Sequence, residues 1–341
     1  MPKRKPATKG QIDEHTGFEH LIGHSRSIAR VVEQLRHIAS TRATVLIEGE
    51  AGTGKGLAAQ AIHRNGPRRS EPFVSVHLGA LALGAVEGEL FGRERDALPG
   101  ADAPRRGSFE TAEGGTLYLG EIGVAPPEAQ VKLLRAMQDR TFERAGGTLT
   151  LKTDVRLIAG TQRDLSADVK SGRFREDLYY RIGAVKVRMP PLRERREDIP
   201  LLVEGFLRDL NREHGRRVTG ITRGVLERLT RHPWPGNVLE LRNAVEGMVV
   251  FARGRRPLDL SDLPEWLKEA GSESPRLELA VGMTVEEAER QLIAATLQHT
   301  GHDKPRAAAM LGIGLRTLYR KIKQHGIRGS GRSARRAREA G

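Results

Sequence analysis

The sequence predicts an α/β protein: a parallel sheet with helices on both faces, then an all-helical lid, then a small all-α unit near the C-terminus. Three observations carry this. Between Phe18 and Met189, short β-branched or apolar runs alternate with amphipathic stretches. From Pro190 onward strand signals fade and helical periodicity takes over. Beyond a stretch containing Gly271-Ser272-Glu273-Ser274-Pro275, a last helical unit runs from Thr284 to about Ile327.

The strands come first. Thr44-Val45-Leu46-Ile47-Glu48 reads as a buried strand running into a glycine turn, and residues 72–76, 115–119 and 154–159 read as three more. Helical patterns lie between them, for example over residues 125–140. Strands alternating with helices make βαβ units and a sheet covered on both faces. Helices over residues 199–213, 222–231 and 237–251, the last opened by Trp234-Pro235-Gly236, make the lid. The expected organisation is a basic tail over 1–17, the α/β subdomain over 18–190 and the lid over 191–267. A linker over 268–283, a helix-turn-helix unit over 284–328 and a second basic tail over 329–341 follow. No internal repeat is visible, and no sensory domain fits before Phe18.

Composition narrows the function. The 341 residues carry a formal charge of +14, which favours a polyanionic partner, either nucleic acid or an acidic membrane surface. There is no cysteine, so disulfides and thiolate metal sites are excluded and a reducing compartment is compatible. No apolar run approaches the ~18–20 residues of a membrane span. Lys3, Arg4, Lys5 and Lys9 have no apolar stretch behind them, so the start is not a secretory signal. A cytoplasmic protein without a membrane partner is expected.

Gly49, Glu50, Ala51, Gly52, Thr53, Gly54 and Lys55 follow the first strand and precede a helix, the context of a phosphate-binding loop. Glycines let backbone amides curl around phosphates, and the helix N-terminus adds positive potential. Lys55 would reach the β- and γ-phosphates of a nucleotide. Gly56 completes the loop where most such loops place Ser or Thr on Mg²⁺.

Several further segments fit one family. They are Leu21-Ile22-Gly23-His24-Ser25, Glu89-Leu90-Phe91-Gly92, Gly107-Ser108-Phe109-Glu110 and Gly114-Gly115-Thr116-Leu117. Gln130-Val131-Lys132-Leu133-Leu134-Arg135, Phe174-Arg175-Glu176-Asp177-Leu178-Tyr179-Tyr180-Arg181, Pro190-Pro191-Leu192-Arg193-Glu194-Arg195 and Trp234-Pro235-Gly236-Asn237-Val238 continue the match. Over nearly its whole length the chain resembles the AAA+ activators of sigma-54 RNA polymerase, the bacterial enhancer-binding proteins. The resemblance implies an AAA+ sheet and lid, ATP as cofactor together with Mg²⁺, and a homo-oligomer, either a dimer or a hexameric ring.

The resemblance also assigns roles. Glu121 matches the acid that polarises the attacking water, and Arg175 and Arg181 match the two arginines that reach a neighbouring subunit's γ-phosphate. A surface ion pair of Arg175 or Arg181 with Glu176 or Asp177 is the alternative. Other positions depart from the family. The metal-organising aspartate is Gly120, the asparagine that restrains the catalytic acid is His77, the sensor asparagine is Gln162, and the nucleotide-touching lid arginine is Leu239. Such groups stabilise charge on the transferring phosphoryl and are worth orders of magnitude in rate. ATP binding with slow or absent hydrolysis is therefore expected. The family's sigma-54-contacting loop reads Gly-Ala-Phe-Thr-Gly-Ala; here it is Asp96-Ala97-Leu98-Pro99-Gly100-Ala101. Two readings of the RNA polymerase partner follow. Either regulation runs through another polymerase form or through DNA binding alone, or the altered loop serves a matched sigma-54 partner.

At the C-terminal end, Thr284-Val285-Glu286-Glu287 is a capping box. Val285, Ala288, Leu292 and Ala295 share one face of the helix it opens. A helix from Lys304, the turn Gly312-Ile313-Gly314 and a helix from Leu315 complete a helix-turn-helix. Ala307-Ala308-Ala309-Met310-Leu311-Gly312-Ile313 and Thr317-Leu318-Tyr319-Arg320-Lys321 resemble the Fis-type unit of the same family. Leu315, Leu318 and Ile322 cluster on one side of the last helix, and Arg316, Arg320 and Lys323 on the other, flanked by Thr317 and Gln324. With Tyr319, that face is the candidate reader of double-stranded DNA in the major groove. From Thr284 onward there are twelve Lys or Arg against five Asp or Glu, half of the whole chain's charge excess. Phosphate attraction is thus concentrated where the motif is.

Three signals are set aside. His299 and His302 have a metal-like spacing but no third donor, so no metal site is expected. The run from Arg193 to Asp198 reads as a solvated surface. Trp234 and Trp266 read as packing residues.

Overall fold

The computed structural model describes residues 21–94, 104–269, 282–300 and 302–327. The chain divides into two compact units with the boundary between Pro264 and Glu265.

The first unit is built on five parallel strands, β1 (Val45–Glu48), β2 (Phe73–His77), β3 (Thr116–Gly120), β6 (Arg156–Thr161) and β7 (Val185–Arg188), in the order β2-β3-β6-β1-β7. A short antiparallel hairpin, β4 (Thr141–Glu143) and β5 (Thr150–Lys152), stands apart. Successive side chains leave opposite faces of a strand, and both faces are buried here. Val45, Ile47, Tyr118, Ile158 and Val187 pack with α1 (Arg26–Ala39) and α2 (Lys55–Arg64). Leu46, Leu117, Leu119, Leu157 and Ala159 form the other core with α5 (Pro127–Gln138). The short helices α3 (Val86–Phe91), α4 (Ser108–Thr111), α6 (Leu165–Lys170) and α7 (Glu176–Ile182) supply residues to that second core.

Local chemistry sets the helix ends. Ser25 caps α1, accepting from the Ile28 N–H, and Ile28, Val31, Leu35 and Ala39 form its buried stripe. Pro127 at the first turn of α5 has no N–H to leave unpaired. β7 was not anticipated. Its alternation Val185-Lys186-Val187-Arg188 belongs to an edge strand that pairs only with β1 and keeps one face open, unlike the fully buried central strands.

The lid consists of α8 (Ile199–Glu213), α9 (Arg223–Arg231) and α10 (Asn237–Phe251). Trp234 is fully buried at the entry to α10, with φ +52, and its indole N–H donates to the Leu229 carbonyl at 2.6 Å. Trp266, expected to pack as well, leaves 45% of its surface exposed.

The second unit contains α11 (Glu265–Glu269), α12 (Val285–His299), α13 (Lys304–Met310) and α14 (Leu315–Gln324). Its core joins Ile293, Leu297, Ala307, Ala308 and Leu318. Thr284 caps α12 through the Glu287 N–H, as its sequence indicates. The face of α12 that packs is a different one from that shared by Val285, Ala288, Leu292 and Ala295. Ile293, Thr296, Leu297 and Thr300 are buried, whereas Val285 is 87% and Leu292 48% exposed. Both stripes are helical in period, and only the position of α13 and α14 decides between them. Loop residues 96–101 and the two tails lie outside the described residues. Among the described residues no helix is long and apolar enough to cross a membrane.

Candidate nucleotide site and nucleic-acid interface

In a parallel sheet all strands end at one edge, so β1, β3 and β6, adjacent in the order, deliver their C-terminal residues to one place. The phosphate loop leaves β1 there and leads into α2. Gly52 and Gly54 take φ of +73° and +99°, and a Cβ at Gly52 would come within 2.1 Å of the Gly236 carbonyl oxygen. Only glycine serves there. Thr53 is buried and donates to the Glu50 carbonyl at 2.8 Å, closing the loop on itself.

Lys55 is 8% exposed at the first turn of α2. Its ammonium donates to the Gly49 carbonyl at 2.8 Å and the Glu50 carbonyl at 3.1 Å, and pairs with Glu121 Oε1 at 3.1 Å. Glu121 sits just past β3 in the left-handed region, φ +59°, and is itself 7% exposed. Its other oxygen accepts the Gln162 backbone N–H at 3.0 Å. The sensor position thus holds the acid through its main chain, whatever side chain stands there.

The two usual metal positions border one tyrosine. A Cβ at Gly56 would lie 3.7 Å from Tyr118 Cε1; at Gly120 it would lie 3.5 Å from the same carbon and 3.2 Å from His77 Cδ2. Burial, reinforced by the charge of Glu121, raises the Tyr118 phenol and keeps it neutral. Mg²⁺ asks for several hard oxygen ligands in near-octahedral array. Gly56 and Gly120 provide none, Glu121 is committed to Lys55, and among the described residues no three His, Asp or Glu gather to hold an ion. The residues present do not make an all-protein Mg²⁺ cage; the ion would rest on nucleotide phosphates and water, with no oxygen from positions 56 and 120.

The lid closes over the loop through contacts the sequence reading missed. The first N–H groups of a helix lack partners within it; those of Val238 and Leu239 donate to the Gly52 carbonyl at 3.0 and 3.3 Å. Asn237, fully buried, donates through Nδ2 to the Ala51 carbonyl at 2.9 Å and to Glu50 Oε2 at 3.2 Å. Arg193 grips both oxygens of Glu50 at 2.7 and 2.6 Å. That guanidinium, helped by the Asn237 amide, holds the Glu50 carboxyl at about 2. The Glu50 side chain therefore faces the lid, and only its backbone faces the loop. Leu239 lies beside Gly52 with 57% of its surface exposed.

The run from Arg193 to Asp198 is solvated at Arg193, Glu194, Arg196 and Glu197, as expected, but not at Arg195 and Asp198. Arg195 is 3% exposed and donates to the Thr53 carbonyl at 3.2 Å. Asp198 is fully buried and accepts from the His24 and Ser25 N–H groups and the Ser25 hydroxyl. Alternating charge at this position is a polar knot between lid, loop and α1. The partners lie about 145 to 175 residues away in sequence, beyond any local pattern.

Arg175 and Arg181 make no contact with residues 49–56 of their own chain among the described residues. Arg175 forms a two-point pair with Asp177 at 3.0 and 2.7 Å, and Arg181 donates to the Met137 carbonyl at 3.2 Å. Buried Gln130 positions the segment by accepting the Arg175 N–H at 2.8 Å.

In the second unit, α13 ends in a glycine-capped turn: Gly312 takes φ +65° and the Ile313 N–H returns to the Ala308 carbonyl at 3.1 Å. α14 then packs Leu318 inward and presents Arg316, Tyr319, Arg320 and Lys323 to solvent, with Thr317 half-buried. Lys321, on the flank, is held by Glu289 of α12. No ion pair among the described residues engages Arg316, Arg320 or Lys323. Lys304 lies 5.2 Å over the Tyr319 ring and adds to the same basic face.

Residues 21–188 match the family described as Sigma-54 interaction domain, residues 193–279 the AAA+ ATPase lid domain, and residues 284–325 the Bacterial regulatory protein, Fis family. The chain is 42% identical over 310 residues to the transcriptional regulatory protein ZraR of Escherichia coli K12, covering 89% of this chain and 68% of that protein. It is 41% identical over 312 residues to the Nif-specific regulatory protein of Azotobacter vinelandii, covering 90% and 59%. The crystal structure of NtrX from Brucella abortus in complex with ATP superposes with a TM-score of 0.69 at 34% identity, over 90% of this chain and 69% of that one. The same protein in complex with ADP gives 0.70. The chain belongs to the sigma-54-dependent transcriptional regulators, with an AAA+ domain of the nucleotide-binding P-loop type, its helical lid and a Fis-type DNA-binding helix-turn-helix.

Proposed function

We propose that this regulator binds ATP and DNA but turns ATP over slowly or not at all, its AAA+ domain serving as a nucleotide-responsive scaffold for self-association. The observation that carries the reading is the pair of positions beside Glu121. Glu121 is the one acid left to polarise water, and Gly56 and Gly120 offer no oxygen next to it, a lack that nucleotide binding does not repair. Binding loses less, because backbone amides of residues 49–56 and the Lys55 ammonium hold phosphates without those groups. An arriving γ-phosphate competes with Glu121 for Lys55.

DNA is engaged by the exposed face of α14. Arg316 and Arg320 read base edges, Thr317 and Tyr319 flank them, and Lys323 contacts phosphate. The Val285–Leu292 face of α12, exposed in the single chain, is buried between two copies in a DNA-bound dimer. Contact with RNA polymerase then follows from position on the promoter, in the cytoplasm.

Steady-state phosphate release decides the matter. The unmodified protein is expected to show little turnover, and the Gly120→Asp, Leu239→Arg variant a gain on the order of 100-fold or more. Brisk turnover by the unmodified chain supports the second reading, an ATP-hydrolysing remodeller of sigma-54 polymerase. That reading draws on the retention of Glu121, Arg175 and Arg181.

A further inference from the structure

The sheet edge opposite the phosphate loop holds a second collection of charge. Where β6 begins at Arg156 and Thr44 leads into β1, a cavity of about 180 Å³ opens. Arg42, Arg68, Arg140, Arg156 and Arg181 all line it. The only carboxylate among its lining residues is Asp154, which is committed to Arg68 at 2.9 Å and reaches Arg140 at 3.6 Å. Five guanidinium groups line it against Asp154 and, next to the lining, the Glu113 carboxylate that accepts the Asp154 N–H at 3.0 Å, so positive charge is in excess.

Two of the lining residues are buried with an unanswered polar atom. Arg156 is 4% exposed. Its terminal nitrogens donate to the Ala39 carbonyl at 3.2 Å and the Ile38 carbonyl at 2.8 Å, where α1 ends, while its Nε has no hydrogen-bond partner. Thr153 is 5% exposed and its hydroxyl has none either. Burial, together with the charge of Arg68, pushes the Arg156 guanidinium down to about 10, the direction expected of a cation short of counter-charge. Capping α1 explains two of the nitrogens on Arg156. It does not explain the third, or the Thr153 hydroxyl. Arg68 and Arg181 spend donors on the Gly115 and Met137 carbonyls, at 3.0 and 3.2 Å, which leaves Arg42 and Arg140 as the lining guanidinium groups without a backbone acceptor among the described residues. Buried polar groups are ordinarily paired, and a buried charge is costly unless it is.

We propose that this cavity binds a small phosphate-class anion. The planar guanidinium fork matches phosphate oxygens two at a time, and an excess of guanidinium groups lining one cavity suits a multiply charged ligand better than a monovalent one. Free inorganic phosphate or pyrophosphate and the phosphates of a nucleotide share that chemistry.

The test is calorimetric titration of the full chain carrying Lys55→Met and Glu121→Gln, which weakens the phosphate loop without leaving a buried lone charge; binding that remains at the loop is the part insensitive to Arg42→Ala and Arg140→Ala. Orthophosphate, pyrophosphate and ADP are titrated separately. Saturable binding is expected, weakened at least tenfold when Arg42→Ala and Arg140→Ala are added; both residues are exposed, and an unchanged circular dichroism spectrum verifies the fold. Affinity for ADP equal to that for pyrophosphate assigns the site to nucleotide-borne phosphate; binding of the inorganic anions alone assigns it to a free one. No saturable binding of any of the three, or binding that Arg42→Ala and Arg140→Ala leave unchanged, overturns the proposal.

Discussion

Two helices of this chain start from a glycine turn and carry basic residues, and they use that charge in opposite ways. α2 follows Gly54 and buries Lys55 among the Gly49 and Glu50 carbonyls and the Glu121 carboxylate. α14 follows Gly314 and turns Arg316, Arg320 and Lys323 outward. A buried cation does what its surroundings permit, and those surroundings come from three separate stretches of chain. Replacing one neighbour, Gly120 for an aspartate or Gly56 for a hydroxyl residue, alters the chemistry while the fold stays intact. An exposed basic face depends on its own helix and one packed side, here Leu318. The candidate nucleotide site therefore keeps its geometry while lacking oxygens at positions 56 and 120, whereas the basic face of α14 is supplied by its own helix.

The sharpest way to break this contrast is Lys55→Met. It leaves Glu121 buried without its cation, and unfolding in denaturant is expected to show a loss of ~3–5 kcal/mol. Adding Glu121→Gln should recover most of it. A double variant no more stable than the single one would mean that the pair is not the central interaction of the site.

At the other site the effects fall on affinity rather than stability. Arg316→Ala and Arg320→Ala are each expected to cost ~1–3 kcal/mol on the cognate operator while leaving the thermal midpoint of the AAA+ domain in place. Lys323→Ala should weaken cognate and random duplexes alike and lower the slope of log K against log salt by about one. Fluorescence anisotropy at several salt concentrations separates the two outcomes. Equal losses on both duplexes for the arginines would make them phosphate contacts instead.

The smallest effect tests the clamp between lid and loop. Glu50 is held at about 2 against an ordinary 4.5. Its depressed value means that the charged form favours the folded state, so the stabilisation is present above pH 4.5 and is lost as pH falls through about 2. Both side chains of the Arg193 pair are more than 40% exposed, so solvent limits the gain to ~1 kcal/mol. The gap in thermal midpoint between wild type and Glu50→Gln should close across that window; a gap persisting at its lower end would place the effect outside the Arg193 pair.

Much of this molecule is written locally. The bounds of α8 and α10 follow from apolar period and their flanking prolines and glycine, and the phosphate loop from its spacing between strand and helix. Thr284 states its own cap. The edge strand β7 escaped because four residues alternating apolar and basic resemble the charged loops around them. The clamp of Glu50 by Arg193 and Asn237, and the burial of Asp198 against Ser25, escaped because their partners are far apart in sequence.

What the sequence determines by itself is the set of elements and the chemical stock at each motif, since helix period, capping and glycine turns depend on near neighbours alone. Which groups are spent on one another is a tertiary decision. The strand order brings Glu121 to Lys55, the lid brings Arg193 to Glu50, and the placement of α13 and α14 selects the Ile293–Leu297 face of α12 over the Val285–Leu292 face. The reason is physical: burial and ion pairing depend on what lies opposite a side chain, and in a parallel sheet with a lid that neighbour arrives from a distant part of the chain.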